Sequence, residues 1–230
     1  MKKKKLVVLS GAGISAESGI KTFRDSDGLW ENHRIEDVAS PEGFLRNPQM
    51  VLNFYNARRR QLKEVSPNLA HQILSELQEF FDVEIITQNV DNLHEIAGSK
   101  NVLHLHGELT KARPVDSPSI ILNLDGDINI GDLHEGKQLR PHIVWFGEDV
   151  TELENAAKIC STADIFLVIG TSMQVYPAAG LIHHVPDECQ IFLIDPYLPN
   201  AYTRSENCFQ TTATEGMVLF REKILRKNHP

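Results

Sequence analysis

The fold is decided by residues 6–20, which are LVVLSGAGISAESGI. The four apolar residues at the start predict a buried β-strand, and the glycines that follow predict a tight turn into a helix N-terminus. Glycine allows the backbone to approach a ligand closely, and the free N–H groups of a first helical turn attract anions. This stretch therefore predicts a nucleotide phosphate as the ligand.

Two common nucleotide-binding classes are disfavoured by the residues that follow. The spacing of Gly11, Gly13 and Ala16 also fits the dinucleotide fingerprint of dehydrogenases. Those proteins continue with a second strand that ends in an acidic residue about 20 positions on. Here residues 25–34 are polar and contain no apolar run. A kinase-type loop requires Gly-Lys-Ser/Thr in sequence, whereas Ile20 separates the glycine from the lysine.

Composition indicates a globular protein with one sizeable core. The chain has 230 residues, of which 41% are hydrophobic, and a formal net charge of −8. The negative charge disfavours nucleic-acid binding, and no segment approaches the length of a membrane span. The three cysteines are dispersed, so we expect reduced thiols rather than a disulfide framework. We expect a cytoplasmic, monomeric protein without a membrane partner.

Apolar runs that alternate with helical patterns predict an α/β fold, a Rossmann-like parallel sheet with helices on both faces. Helices are predicted at residues 66–81, with Ser66 as N-cap and Pro67 in the first turn, and at 151–163 and 215–227. The predicted strands are residues 6–9, 83–87, 102–105, 165–170 and 190–194.

Residues 111–140 interrupt this alternation and predict a small inserted module. Ile120-Ile121-Leu122 and Ile128-Asn129-Ile130 flank the turn former Asp125-Gly126-Asp127, which predicts a β-hairpin. The chain would then be one domain, with a large lobe of residues 1–110 and 141–230. Part of residues 25–65 is a further candidate for the small lobe.

Polar clusters follow three of the predicted strands. Residues 87–94 are TQNVDNLH, His106 and Gly107 follow the next strand, and residues 170–172 are GTS. In an open α/β sheet, ligands bind beyond the carboxyl ends of the strands. The amides and the acid of the first cluster suit ribose hydroxyls and a carboxamide.

These segments resemble the sirtuins, NAD-dependent protein-lysine deacylases. Four motifs match in order, at residues 11–24, 87–94, 106–107 and 170–172, and residues 145–148, WFGE, resemble the substrate-binding segment of the family. The resemblance implies that NAD is consumed and that acylated-lysine proteins are the substrates. The acyl amide oxygen attacks the nicotinamide ribose, nicotinamide leaves, and the product is O-acyl-ADP-ribose.

The resemblance also implies roles for individual residues. His106 would be the general base, with Asn89 and Asp91 as the other catalytic residues that shape the nicotinamide pocket. His104 is more consistent with a structural role, and Asp195 stands where sirtuins usually carry asparagine. The implied cofactor-binding residues are Gly11, Ala12, Gly13, Ser15, Ile20, Phe23, Arg24, Gln88, Asn89, Asp91, Gly170, Thr171, Ser172 and Asp195.

Acyl selectivity is indicated by Tyr55 and Arg58, which resemble the Tyr-x-x-Arg signature of class III sirtuins. Three positions apart, they share a helix face, and a guanidinium binds a carboxylate bidentately. Succinyl- and malonyl-lysine are thus the favoured substrates, with some deacetylation, whereas Arg59 and Arg60 are interpreted as a solvated face. The peptide would add as a strand between residues 144–148 and 174–176. The remaining substrate-binding candidates are His106, Val144, Phe146, Gly147 and Val175.

A departure from the family concerns zinc, and two other functions remain open. Most sirtuins carry two cysteine pairs between the catalytic histidine and the Trp-Phe-Gly segment, but no cysteine lies between His106 and Trp145. We therefore expect a zinc-free module and no metal. The alternatives are a protein ADP-ribosyltransferase, disfavoured by Tyr55 and Arg58, and a non-catalytic NAD-binding module, disfavoured by the presence of His106, Asn89 and Asp91 together.

Overall fold

A six-stranded parallel sheet forms the centre of the computed structural model, which describes residues 3–21, 29–30, 33–198 and 206–228. The strand order is β12-β11-β10-β1-β4-β5. The strands of this sheet are β1 (Lys5–Ser10), β4 (Asp82–Thr87), β5 (Val102–His104), β10 (Ile165–Ile169), β11 (Gln190–Ile194) and β12 (Cys208–Phe209).

Two smaller sheets, eight α-helices and two 3₁₀ helices, at Leu77–Glu79 and Ala178–His184, complete the described elements. The short strands β2 (Leu29–Trp30) and β3 (His33–Arg34) pair with each other, and a four-stranded antiparallel sheet contains β6 (Gly107–Pro114), β7 (Leu122–Asn123), β8 (Leu133–His134) and β9 (Lys137–Ile143). The helices are α1 (Gly13–Ala16), α2 (Ile35–Val38), α3 (Pro41–Arg46), α4 (Pro48–Leu62), α5 (Leu69–Glu76), α6 (Leu93–Ile96), α7 (Leu153–Cys160) and α8 (Ala213–Asn228). In the part of the chain that the structure describes, no helix is long and apolar enough to cross a membrane.

Strand β1 is buried on both faces, which confirms the prediction of a parallel sheet covered by helices. Leu6 and Val8 pack into one apolar cluster with side chains of α5 and α8. Val7 and Leu9 point to the opposite face and pack with side chains of α7. Because alternate strand residues face opposite sides, a run of four apolar residues is what a fully covered central strand requires.

The inserted module is confirmed as a small antiparallel sheet, but its predicted hairpin is wrong. Leu122 pairs with Ala112 of β6, and not with residues 128–130. Ile128 is only 1% exposed and lies in an apolar cluster with side chains of α4. The hairpin forms instead between β8 and β9, where Glu135 and Gly136 both have positive φ, as a two-residue type I′ turn requires.

Helix α1 after the glycine turn is a single turn of four residues. One helix start differs from the prediction. Helix α5 begins at Leu69, and its cap is Asn68 rather than Ser66, because Asn68 Oδ1 accepts from Ala70 N–H at 2.9 Å. Asn68 Nδ2 also donates to Ile14 O at 2.7 Å, so this contact with α1 fixes the capping residue.

Helix α4 is attached to the small sheet by buried hydrogen bonds. Asn56 Nδ2 donates to Ile128 O at 2.9 Å, and Ile128 N–H donates to Asn56 Oδ1 at 2.9 Å. Arg59 Nε donates to Leu109 O at 2.6 Å, and its Nη1 donates to Asn56 Oδ1 at 2.8 Å. Arg59 is 3% exposed, so its interpretation as part of a solvated face is wrong.

We predict that Asn56→Ala lowers the free energy of unfolding by about 1–3 kcal/mol, because the buried N–H and C=O groups of Ile128 lose their partner. Urea unfolding measures this change. Asn53→Ala, an exposed position on the same helix, is the matched control and should change stability by less than about 0.5 kcal/mol. Equal effects of the two substitutions would contradict the prediction.

Candidate active site

The polar clusters predicted from the sequence meet at the carboxyl edge of the sheet, where β1 lies between β10 and β4. Gly13 N–H donates to Gly170 O at 2.8 Å, and Gly11 N–H donates to Ile169 O at 3.0 Å. Gly170 has φ +64°, and a Cβ there would lie 2.3 Å from Ile14 N. The two loops are therefore in direct backbone contact, with no space for a side chain at Gly170.

The expectation that this turn offers free N–H groups to an anion is wrong at four positions. Besides Gly11 and Gly13, Ile14 N–H donates to Gly11 O and Ser15 N–H donates to Ala12 O, both at 3.1 Å. These donors are used inside the protein. The turn contributes a close backbone approach and the Ser15 side chain to the site.

Ser15, Asn89 and Asp91 form a buried hydrogen-bond network beneath the glycine turn. Ser15 Oγ donates to Asp91 Oδ2 at 3.0 Å and accepts from Asn89 Nδ2 at 3.1 Å. Asn89 Nδ2 also donates to Gly11 O at 3.2 Å, and Leu93 N–H donates to Asp91 Oδ1 at 3.1 Å. Burial raises the pKa of Asp91 despite these hydrogen bonds. The side chains of Asn89 and Asp91 are thus fixed beneath the turn, and their role in a nicotinamide pocket stays a prediction.

A pocket lies at the carboxyl ends of β10 and β11. Its polar lining comes from Thr171, Ser172 and Asp195, and its apolar lining includes Leu193 and Leu198. Asp195 is buried and accepts from Tyr197 N–H at 2.8 Å. Apolar side chains beside a carboxylate suit a nucleoside, since the carboxylate accepts from ribose hydroxyls.

Gln88 connects the loop that carries Asn89 and Asp91 with the loop that carries Thr171 and Ser172. Its Nε2 donates to Thr171 Oγ1 at 3.1 Å. The structure therefore brings together the residues predicted after three different strands. Ile20 is partly buried and packs against the apolar cluster beneath α4, whereas Phe23 and Arg24 lie outside the described residues.

His106 lies at the junction of the two sheets, directly before β6. Its Nδ1 lies 3.0 Å from Gln88 O, and because a carbonyl only accepts, Nδ1 carries the hydrogen and Nε2 holds the lone pair. Burial lowers the pKa of His106. The following Gly107 has φ +79°, and a Cβ there would lie 2.0 Å from His142 O, so glycine is required after this histidine.

His104 has two fixed partners. Its Nδ1 lies 3.0 Å from Asn89 O, and its Nε2 lies 2.7 Å from Glu95 Oε1. Burial lowers the pKa of His104, but the hydrogen bond and charge of Glu95 outweigh it, so the pKa is raised. These contacts support the structural role expected for His104. Among the described residues, Glu95, His104 and Glu108 are the one group of three possible metal ligands, and Lys111 is ion-paired with Glu108.

A pair of buried histidines lies behind the site. The rings of His71 and His94 are 4.9 Å apart, and His94 Nε2 lies 3.0 Å from Ser10 Oγ. Neither His71 Nε2 nor His94 Nδ1 has a hydrogen-bond partner among the described residues. Burial lowers the pKa of His71 to about 4 and that of His94 well below its usual value.

This pair predicts a loss of stability in acid. Unfolded histidines bind protons below about pH 6.5, whereas the folded pair stays neutral, so stability is complete above pH 6.5 and falls as the pH decreases. The shift of His71 alone corresponds to about 3 kcal/mol between pH 6.5 and pH 4. In urea unfolding across this range, His71→Leu should reduce the slope, while His184→Leu, at an exposed position, should keep it. An unchanged slope in His71→Leu would refute the assignment.

Tyr55 and Arg58 lie in the middle of α4, and Tyr55 contacts the segment that follows β9. Trp145 Nε1 donates to Tyr55 Oη at 2.9 Å, and Tyr55 is fully buried. Arg58 is half-buried, with its guanidinium carbon 5.4 Å from the centre of the Phe54 ring. Val144 N–H donates to His106 O at 2.9 Å, so the segment that holds Tyr55 is paired with the backbone of His106.

The two segments between which a peptide strand is expected, residues 144–148 and 174–176, are not strands in this structure, although several of their residues are exposed. Phe146 is 55% and Val175 is 40% exposed, and Gly147 is exposed as well. The N–H groups of Val144 and Phe146 already donate, to His106 O and to Ala39 O. A peptide strand at this position therefore has to pair through other backbone groups of the segment.

Sequence reasoning missed a charged network that supports this segment. Glu148 accepts from Arg113 Nη2 at 2.9 Å and from Arg140 Nη1 at 2.6 Å, and it also accepts from Trp145 N–H at 2.8 Å. The guanidinium of Arg140 lies over the Trp145 ring at 3.2 Å from its centre. The sequence did contain an indication of this network. Glu148 directly follows Trp-Phe-Gly, and the inserted module before it contains Arg113 and Arg140.

Comparisons with known proteins agree with this geometry. The family model described as "Sir2 family" matches residues 11–177. An NAD-dependent protein deacylase of Bacteroides thetaiotaomicron is 52% identical, covering 96% of this chain and 98% of the relative. One from Helicobacter pylori strain 26695 is 53% identical, with the same coverage. A solved Sir2 homolog–NAD complex has a TM-score of 0.85 and 38% identity, covering 98% of this chain and 91% of that one.

The fold and the polar edge define a nucleotide-binding α/β protein with a small inserted sheet. More particularly, the chain belongs to the Sir2 family. Its cofactor is NAD, and its class of activity is NAD-dependent protein deacylation.

Proposed function

We propose that this sirtuin prefers acidic acyl groups, removing succinyl and malonyl groups from lysine more efficiently than acetyl groups. The proposal is carried by Tyr55 and Arg58 on α4, of which Tyr55 contacts the segment that pairs with His106. A guanidinium and a phenol are the donors that a distal carboxylate needs. Because Tyr55 is buried, an acyl carboxylate that reaches it is shielded from water, which strengthens both hydrogen bonds.

NAD fits the residues at the edge of the sheet. Asp195, Thr171 and Ser172 would hold the adenosine side, and Asn89 and Asp91 would hold the nicotinamide side. When bound, NAD supplies an electrophilic ribose carbon to the acyl-lysine amide oxygen. The donor set is suitable because it combines a carboxylate, hydroxyls and amides around a partly apolar pocket.

His106 is proposed to accept a proton at Nε2 from a hydroxyl group of the reacting ribose. The hydrogen bond from Nδ1 to Gln88 O fixes the ring and the tautomer, so the lone pair of Nε2 is available without reorganisation. The lowered pKa keeps the ring neutral at physiological pH. Asn89 and Asp91 would orient the nicotinamide carboxamide, since their own contacts with Ser15 prevent them from rotating.

The lowered pKa of His106 predicts the pH dependence of the reaction. A base must be neutral, so kcat/KM should decrease in acid with a midpoint below pH 6.5, the usual pKa of a histidine. His106→Ala should lower kcat by about 100-fold or more. Product formation with an acylated peptide measures both, with circular dichroism at each pH to confirm folding. A decrease centred at pH 7 or above would contradict the proposed base.

Arg58→Met should weaken desuccinylation more than deacetylation. The substitution removes the charged partner of the acyl carboxylate, so kcat/KM for a succinyl peptide should fall on the order of 100-fold. The matched acetyl peptide has no carboxylate at that position and should be affected far less. Mass spectrometry of O-acyl-ADP-ribose quantifies the two reactions.

Arg60→Met is the matched control for this experiment. Arg60 lies on the same helix but is exposed and ion-paired with Asp127. Its loss should leave the ratio of the two activities unchanged. Equal losses of kcat/KM for both peptides in Arg58→Met would defeat the proposed preference.

A further inference from the structure

Two histidine side chains hold the loop that follows β4. Gln88 O lies 3.0 Å from His106 Nδ1. Asn89 O, the next carbonyl oxygen along the chain, lies 3.0 Å from His104 Nδ1. Because a backbone carbonyl only accepts, both rings carry a hydrogen at Nδ1. The two histidines therefore donate to consecutive carbonyl groups just beyond the end of the strand.

The second ring nitrogen distinguishes His104 from His106. His104 Nε2 lies 2.7 Å from Glu95 Oε1. Burial raises the pKa of Glu95, but the hydrogen bond and charge of His104 outweigh it, so the pKa is lowered and the carboxyl group is ionised at neutral pH. Since an ionised carboxylate also only accepts, Nε2 carries a hydrogen as well. With a hydrogen on both nitrogens, His104 is an imidazolium cation.

Acidic groups on two elements favour this charge. The side chain of His104 is only 6% exposed, and it faces Glu95 on α6 and Glu108 on β6, whose charges both favour the protonated ring. Glu108 is also ion-paired with Lys111. An imidazolium has no lone pair for a metal ion, so a charged His104 and a metal ion bound by these three side chains exclude each other.

We propose that His104 is a positioning residue for NAD, which as an imidazolium holds the carbonyl of Asn89 and thereby the loop that carries Asn89 and Asp91. This inference rests on the proposed role of Asn89 in the nicotinamide pocket. A charged donor makes a stronger hydrogen bond than a neutral one. His106 makes the equivalent contact with Gln88 O as a neutral ring. Two histidines in similar positions thus have different tasks, because only His104 has a carboxylate at Nε2.

His104→Phe tests this inference because it retains a ring and removes both N–H groups. Asn89 O then loses its charged donor, so kcat/KM for NAD should fall about tenfold. Inhibition by added nicotinamide should weaken to a similar extent, since nicotinamide would bind in the same pocket. The KM for an acylated peptide at saturating NAD should change far less. Circular dichroism and the melting temperature check that the variant is folded.

His104→Asn separates positioning from packing. The asparagine amide places an N–H group close to the position of Nδ1, so this variant should recover most of the lost kcat/KM for NAD. A role in packing alone predicts the reverse order, with phenylalanine better tolerated than the smaller, polar asparagine. His184→Phe, at an exposed position, is the matched control and should leave all of these constants unchanged.

The charge of the ring is measured separately by ¹⁵N NMR of the histidine side chains at neutral pH. The signals that disappear in His104→Asn should show a hydrogen on both nitrogens. A bare Nε2, whether the ring is neutral or holds a metal ion, would overturn the inference. Glu95→Gln should make the ring neutral, because the glutamine amide donates to Nε2, and should lower kcat/KM for NAD about threefold. It is the second variant if His104→Phe does not fold, and an unchanged kcat/KM would then count against the role of His104.

The proposed role of Asn89 fails in a different way. If Asn89→Ala leaves kcat/KM for NAD and nicotinamide inhibition unchanged, the proposed pocket is wrong and this inference falls with it. If Asn89→Ala weakens both, but His104→Phe weakens neither or is better tolerated than His104→Asn, only the role of His104 is wrong.

Discussion

The backbone contact between Gly13 and Gly170 is the constraint on which the site depends. It joins the loops after β1 and β10. Neither glycine has space for a side chain, because a Cβ at either position would overlap backbone atoms of the other loop. The contact places Ser15 beneath the turn, where it reaches Asn89 and Asp91. The same loop after β10 carries Thr171, which binds Gln88. Residues distant in sequence are thus assembled by the close approach of two glycine loops.

A second set of contacts attaches the small sheet to α4. Asn56 and Arg59 bind backbone groups of Ile128 and Leu109, and an apolar cluster that includes Trp145 fills the space between them. Burial lowers the pKa of Arg59 to about 10, which still leaves the guanidinium charged at neutral pH. Hydrogen bonds to fixed backbone groups restrict orientation more than apolar packing does. The helix that carries Tyr55 and Arg58 is thereby fixed against the small sheet.

Much of the fold could be predicted because its signals are local. The buried strands are continuous apolar runs, and the predicted edges of β1, β4, β10 and β11 lie within one residue of those observed. The positions of Gln88, Asn89 and Gly170 followed from the rule that ligands bind beyond the carboxyl ends of parallel strands. The pairing of Leu122 with Ala112 was missed because antiparallel partners distant in sequence leave no periodic signal.

The three arginines at positions 58–60 show a second limit of prediction from sequence, which concerns the burial of individual side chains. Successive helix residues point about 100° apart, so three neighbours with the same charge lie in different environments. Arg58 is half-buried, Arg59 is buried and Arg60 is exposed. Composition alone assigns all three to solvent. Only the packing of the small sheet against α4 shows which of them is enclosed.

The junction at Gly107 is where the chain passes between the two sheets. Gly107 begins β6 directly after His106 and pairs with Ile143 at the end of β9, so the chain enters and leaves the small sheet side by side. The two crossings are also bonded to each other at His106, because Val144 N–H donates to His106 O. The imidazole that is proposed to accept the proton is therefore attached to both backbone segments that connect the sheets, so its position depends on the small sheet as well as on the large one.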